Sequence, residues 1–248
     1  MKLARENTGW GYDRIVGALA NLGHKISDQS VGNILQRHGI APAPKRKQGT
    51  KWSEFIRTHL DVLAGTDFFT VEVLTWSGLV TYYVLFFIHL GSRRVSIAGI
   101  TEHPDSFWME QIARNATLEE LGQLKGCRYL LHDRDTKFCQ SFREMVKGGG
   151  VKPLKLPARS PNLNAFAERW VRSVKEECLS RLILFGESAL RKAVTNFAQH
   201  YLAERNHQGK ENVLLFPAAE QRVGSGDGKI RCKERLGGLL KYYHTEAA

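Results

Sequence analysis

Three carboxylates in this chain stand where strand and helix patterns place them well for chemistry. Asp67 lies inside the apolar run Thr66-Asp67-Phe68-Phe69-Thr70, and Asp133 closes Tyr129-Leu130-Leu131-His132-Asp133. Glu168 follows Asn164-Ala165-Phe166-Ala167. An ionised aspartate in an apolar strand is costly unless something compensates its charge, and a hard cation bound by carboxylate oxygens does so. Three such groups together repel one another when no cation is present. Their joint use would be to hold two Mg²⁺ or Mn²⁺ ions about 3.5–4 Å apart, an arrangement suited to phosphoryl transfer. Asp61, Glu72 and Asp135 compete for the same roles, and Asp135, two residues beyond Asp133, is the nearest rival.

Convergence of the three depends on the elements that carry them. Val62–Leu74, Val80–Leu90 and Arg94–Ile100 are rich in Val, Ile, Phe, Tyr and Thr and are separated by short Gly-containing turns. They read as an antiparallel three-stranded meander. Pro104–Ala116 reads as a helix, Cys127–Leu131 as a short buried strand, Phe138–Val146 as a helix and Val151–Leu156 as a strand. Two long helices are expected over Asn164–Ile183 and Glu187–Arg205. The order predicts an α/β fold, a mixed sheet covered by helices. Strand ends supplying Asp67 and Asp133, and a covering helix supplying Glu168, can meet at one sheet edge.

The start of the chain has a different character. Tyr12–Leu22 places Ile15, Leu19 and Leu22 at helical spacing, and Gly23 stops the pattern. Ser27 or Asp28 can cap a second helix carrying Val31, Ile34 and Leu35, which ends at Gly39. Two helices around a turn are the layout of a helix-turn-helix. Gln29, Ser30, Asn33, Gln36 and Arg37 would then face bases or phosphates in the major groove; a plain helical hairpin with a polar outer face has the same pattern. Pro42-Ala43-Pro44-Lys45-Arg46-Lys47-Gln48-Gly49 follows, an extended basic linker whose Lys45, Arg46 and Lys47 can lie along a phosphate backbone.

The whole composition agrees with a polyanion partner. The chain has 248 residues and a net charge of +11. Residues 1–60 hold ten Lys/Arg and four Asp/Glu, so this quarter supplies +6 of that excess. The longest apolar run, Leu79–Ile88, is about half the ~20 residues that a membrane-spanning helix needs, and no signal peptide is apparent. Cys127, Cys139, Cys178 and Cys232 are widely spaced and read as reduced thiols. No Gly-rich phosphate loop suggests nucleotide hydrolysis. Near residues 223–228 the chain loosens into Gly-Ser-Gly-Asp-Gly ahead of a basic tail.

With these residues in view, the order of elements resembles the DDE-type catalytic core of bacterial insertion-sequence transposases and retroviral integrases. That family carries two aspartates and a glutamate, the last two separated by about the interval between Asp133 and Glu168, which is 35 positions. Phe138 and the run Ser160-Pro161-Asn162-Leu163-Asn164-Ala165-Phe166-Ala167-Glu168 also fit, with Asn164 where the family often has an amide. Asp133-Arg134-Asp135 departs from the Asp-Asn-Gly common in the family. No cysteine precedes Cys127, so the zinc module of retroviral integrases is not expected. Met1 lies close to the first helix, and the sequence leaves open whether an upstream segment that relatives possess is missing.

The resemblance implies an RNase H-like catalytic domain over 61–222. A helix-turn-helix domain over 1–41 and a basic linker over 42–60 would precede it, and a basic tail over 223–248 would follow. It implies DNA cleavage and strand transfer with two Mg²⁺ or Mn²⁺ ions held by Asp67, Asp133 and Glu168. Double-stranded DNA, both element ends and target, would be the partner, bound by a homo-oligomer in the bacterial cytoplasm at the nucleoid. Arg172 and Lys175, four and seven residues after Glu168, share its helix face and would contact the DNA end, with Arg159 in the preceding loop. Arg172 could instead pair with Glu168 as an i,i+4 ion pair. A DNA-binding regulator with an inert RNase H-like domain, or an RNase H-type or junction nuclease, would share much of this pattern.

Overall fold

The computed structural model describes residues 1–7, 10–40, 52–157, 164–217 and 230–245. The chain divides into two compact units, Met1–Phe55 and Ile56–Ala248.

The first unit holds three helices: α1 (Lys2–Glu6), α2 (Tyr12–Asn21) and α3 (Asp28–Arg37). Ser27 caps α3, its side chain accepting from the Ser30 backbone N–H. Gly23 and Gly39 end α2 and α3 with φ of 84° and 67°. At both ends the N–H two residues beyond the helical turn reaches back, His24 to the Leu19 carbonyl and Ile40 to the Leu35 carbonyl. This closure needs a left-handed residue, which glycine supplies without strain. Ala4, Ile15, Val31 and Leu35 form the core, with Trp10, Tyr12, Val16, Leu19 and Ile40 against it. Leu22 and Ile34, expected on the apolar stripe, are instead 66% and 40% exposed. Leu22 caps α2 beyond its last turn, and one short partner helix buries only the narrow stripe of Val31 and Leu35. Helix α4 (Trp52–His59) lies within the segment read as basic linker; Pro42–Gly49 falls outside the described residues.

The second unit is built on strands β1 (Leu63–Thr75), β2 (Gly78–His89), β3 (Val95–Thr101), β4 (Tyr129–His132) and β5 (Lys152–Lys155). They form one sheet in the order β3-β2-β1-β4-β5. β1, β2 and β3 run antiparallel in sequence, whereas β4 is parallel to β1 and β5 to β4. Parallel neighbours require crossovers. Helices α5 (Ser106–Ala116) and α6 (Gln140–Gly148) supply them. Two further helices follow, α7 (Ala165–Glu177) and α8 (Gly186–Ala203). The result is a mixed sheet with flanking helices, the RNase H-like arrangement.

Residues 84–88 of β2 are fully buried because both faces of the sheet are covered. On one face Ala64, Leu85, Phe87 and Leu130 meet Met109, Ile112 and Ala113 of α5 and Phe142 and Val146 of α6. On the other, Phe86 packs against Trp170 of α7, which in turn meets Phe197 and Tyr201 of α8. Helix α7 stops six residues before the expected Ile183, because Cys178 leaves helical geometry and Leu179–Arg181 forms a 3₁₀ turn that buries Leu179. The basic tail folds as a hairpin, β6 (Ile230–Arg235) paired with β7 (Leu240–Thr245). Among the described residues, no helix is long and apolar enough to cross a membrane.

Candidate active site

The sheet register brings the two aspartates to one level. Leu63, Ala64 and Gly65 pair in parallel with Tyr129, Leu130 and Leu131. Continued by two residues, the same register sets Asp67 beside Asp133 on neighbouring strands, whose usual spacing is about 4.8 Å. Asp67 also pairs across β2 with Phe86. Directly opposed residues point to one face, and Phe86 packs on Trp170, so Asp67 faces the helix that carries Glu168. Its carboxyl is half-buried and its Oδ1 accepts the Phe68 backbone N–H at 2.8 Å. Burial first, then the charges of Asp133, Glu168 and Asp135, raise Asp67 from 3.8 to about 6 against that hydrogen bond. The four carboxylates therefore share one electrostatic neighbourhood.

Asn164 ties the start of α7 to β1. It is buried, and its Nδ2 donates to the Thr66 carbonyl at 3.5 Å. Gly65 makes this approach possible, since a Cβ there would stand 2.9 Å from the Asn164 Oδ1. A glycine inside a strand is a sequence signal for close approach, and sequence reasoning passed over this one. Glu168, one turn into α7, is exposed.

Asp135 is engaged elsewhere. Its two oxygens accept the Lys137 backbone N–H at 2.9 Å and the Lys137 Nζ at 2.8 Å. Burial acts to raise its carboxyl, but these Lys137 contacts outweigh it and hold the group below the usual range. Asp133 accepts only the Asp135 backbone N–H, at 3.0 Å, among the described hydrogen bonds. Asp133 is thus the freer carboxylate. His132 is buried, its Nδ1 lies 2.7 Å from the Asp133 carbonyl, and its ring packs on Phe138. Burial lowers its pKa, so at neutral pH the uncharged ring donates from Nδ1 to that carbonyl and braces the strand end.

The donor chemistry suits a hard divalent cation: carboxylate oxygens alone, with their mutual repulsion felt at Asp67. Among the described residues, no three His, Cys, Asp or Glu side chains close around a single point in this conformation. The sheet register brings the two aspartates level, and Glu168 lies on the covering helix.

Arg172 and Lys175 are exposed on α7, and among the described ion pairs Arg172 forms none with Glu168. Gln29, Ser30, Asn33, Gln36 and Arg37 are exposed on α3. Within that group Gln29 Nε2 donates to Asn33 Oδ1 at 3.4 Å, and the Ser30 hydroxyl meets that of Ser27 at 2.9 Å. Arg159, Lys45, Arg46 and Lys47 lie outside the described residues.

Residues 150–213 match the family model described as the integrase core domain, a segment that contains Asn164, Glu168, Arg172 and Lys175 but neither aspartate. Among solved structures, the chain is similar to the catalytic core of HTLV-2 integrase in complex with magnesium. The identity is 13% over 62% of this chain and 93% of that one, with a TM-score of 0.45. It is also similar to the catalytic core of BIV integrase, at 13% identity over 60% and 88% of the two chains and a TM-score of 0.41. A simian T-cell lymphotropic virus intasome, in complex with the PP2A regulatory subunit B56 gamma, is similar at 12% identity over 75% and 66%, with a TM-score of 0.48. No curated protein sequence matches the chain.

Proposed function

We propose that this chain, with its integrase core segment over residues 150–213, is a DNA-cutting and DNA-joining enzyme of the transposase/integrase type. The observation that carries the reading is the shared neighbourhood of Asp67, Asp133 and Glu168: the register sets the aspartates level, and burial, then the neighbouring charges, raises the Asp67 carboxyl to about 6. These three residues would hold two Mg²⁺ or Mn²⁺ ions. Such ions, when bound, supply charge neutralisation at the reacting phosphate and ease deprotonation of the attacking water or 3′-hydroxyl.

The chain's own residues do the positioning. His132 and the β1–β4 register hold Asp133 level with Asp67. Asn164 anchors the start of α7 so that Glu168 can approach from above the sheet. Lys137 keeps Asp135 occupied, which supports Asp133 as the second ligand. Arg172 and Lys175, and Arg159 before them, would contact the DNA end near the carboxylates. The N-terminal unit would act as a helix-turn-helix that binds duplex DNA through Gln29, Ser30, Asn33 and Arg37. Residues 42–60 would link it to the catalytic domain, with 223–248 as a basic C-terminal segment, and a homo-oligomer would hold the two element ends.

The test is metal-dependent cleavage and end-joining on duplex DNA. Asp67→Asn, Asp133→Asn and Glu168→Gln should each lower both reactions by at least about a hundredfold while the fold persists. Asp135→Asn should keep most activity. Near-normal rates in any of the first three variants would remove that residue from the site, and an active Asp133→Asn beside an inactive Asp135→Asn would exchange the two.

A further inference from the structure

Helix α7 also borders a second polar site, one not lined by Asp67, Asp133 or Glu168. A cavity of about 370 Å³ lies between the β2–β3 turn, α7 and the loop after α8. Phe166, Arg169, Arg172 and Glu176 reach it from successive turns of α7, Arg93 comes from the β2–β3 turn and Lys210 from the loop. Arg205 and Glu177 also line it, but they satisfy each other through two hydrogen bonds of 2.9 and 2.7 Å. That leaves four cations, Arg93, Arg169, Arg172 and Lys210, against the single carboxylate of Glu176.

Arg93 is the cation of this group whose hydrogen-bonding capacity the surrounding protein leaves most clearly unused. Its residue adopts φ of 65°, unusual for a side chain of this size. The guanidinium lies flat against Phe166, with Cζ 3.1 Å from the ring centroid. Its Nη1 is buried and has no hydrogen-bond partner among the described residues. Burial, and next to it the charge of Arg169 against the opposing effect of Tyr201, lowers Arg93 to about 10, so it stays protonated at neutral pH. Arg169 itself is held against the loop, its Nη1 3.5 Å from where a Cβ on Gly209 would be. Lys210 Nζ meets only the Gly91 carbonyl, at a long 3.4 Å, among the described hydrogen bonds. A buried guanidinium nitrogen without a hydrogen-bond partner is costly, and a tetrahedral oxyanion can accept from several convergent arginine and lysine donors together.

We propose that the cavity bounded by Arg93, Arg169 and Lys210 is a phosphate-binding site, separate from the carboxylate cluster. The phosphate would come from a nucleic-acid backbone or from a free polyphosphate, and both offer the same oxygens. The inference does not depend on the catalytic reading: only Arg172 is shared with it, the residues tested are others, and the readout is different.

The experiment titrates tripolyphosphate into the full chain, without divalent metal, by calorimetry and by thermal shift. The wild type should bind and be stabilised. Arg169→Gln combined with Lys210→Gln should weaken that binding at least tenfold, and Arg93→Asn, which suits a left-handed backbone, should do the same. Arg169 and Lys210 are exposed, so the double variant should fold normally. If duplex DNA displaces the tripolyphosphate, the site takes backbone phosphate; if both bind together, it takes a free polyphosphate. Absence of binding in the wild type, or equal affinity in all variants, overturns the proposal. Asp67→Asn should bind tripolyphosphate as the wild type does, so a failure of the catalytic reading would show up separately.

Discussion

Asp67 is held in a position that costs the metal-free protein stability. In the unfolded chain its carboxyl ionises near 3.8, whereas in the fold it does so at about 6. Between those values the folded state keeps a proton that the unfolded state has lost, so this contribution to stability falls as pH rises through the window. Above pH 6 the loss is complete, on the order of 2–3 kcal/mol for a half-buried group. Asp67→Asn should therefore raise the melting temperature of the metal-free protein at pH 7.5. Millimolar Mg²⁺ or Mn²⁺ should stabilise the wild type by mass action and leave the Asp67→Asn variant nearly unmoved. Thermal melts of both proteins with and without metal check this; an equal metal shift in the two would place the cation elsewhere.

Elements decide whether such residues meet, and here the sequence was legible in some places and not in others. Three β-rich runs with short turns gave the meander, and its observed strands lie within about two residues of their expected bounds. Asp67 and Asp133 could be placed at strand level because an acidic residue inside an apolar run, or closing one, is a local signal. The role of Asp135 was not legible, because it rests on a contact with Lys137 that depends on how the loop turns. The C-terminal hairpin was hidden for a related reason. Its strands are mostly exposed and charged, with only Leu240 and Tyr242 buried, so composition reads as a tail.

What anchors that hairpin is one buried carboxylate. Glu204 accepts two hydrogen bonds from Arg235, at 2.8 and 2.9 Å, and lies 2.8 Å from Lys233 and 3.2 Å from His200. Burial alone would raise its pKa, but Arg235, Lys233 and His200 override this and lower it from 4.5 to about 2. A depressed carboxylate stabilises the fold above its unfolded value and loses that contribution as pH falls towards the folded one. The docking of β6 and β7 should therefore weaken between about pH 4.5 and pH 2, by about 3 kcal/mol in all. Glu204→Gln should produce the same release at neutral pH, seen as rapid proteolysis within residues 230–245 without loss of the core. Equal protection in variant and wild type would mean that apolar contacts hold the hairpin. At the start of α7, Gly65→Ala should disturb Asn164, and Asn164→Ala should relieve part of that cost. A double-mutant cycle read by thermal stability should return a coupling of about 0.5–2 kcal/mol; strict additivity would mean that the strand yields instead.

Across the whole chain the charge is unequally shared, and that asymmetry bears on how DNA would be held. The first 60 residues carry +6 of the net +11, and three adjacent cations, Lys45, Arg46 and Lys47, follow the N-terminal helices. The exposed polar side chains of α3 are uncharged apart from Asp28 and Arg37, whose charges offset, so they can offer base contacts but little counter-ion release. Most of the salt dependence should then come from the basic segment and from the catalytic unit. Replacing Lys45, Arg46 and Lys47 together with Gln should reduce the slope of log affinity against log salt by about 2 to 3, near 0.9 for each phosphate no longer neutralised. The ratio of affinities for different duplex sequences should change little, because phosphate contacts position without reading bases. Substituting Asn33 and Gln29 should do the converse, narrowing that ratio while leaving the slope intact. Fluorescence anisotropy on the full chain at several salt concentrations measures both quantities at once. If the triple substitution left the slope unchanged, the three cations would be solvated spacer residues, and the catalytic unit would carry the electrostatic grip by itself.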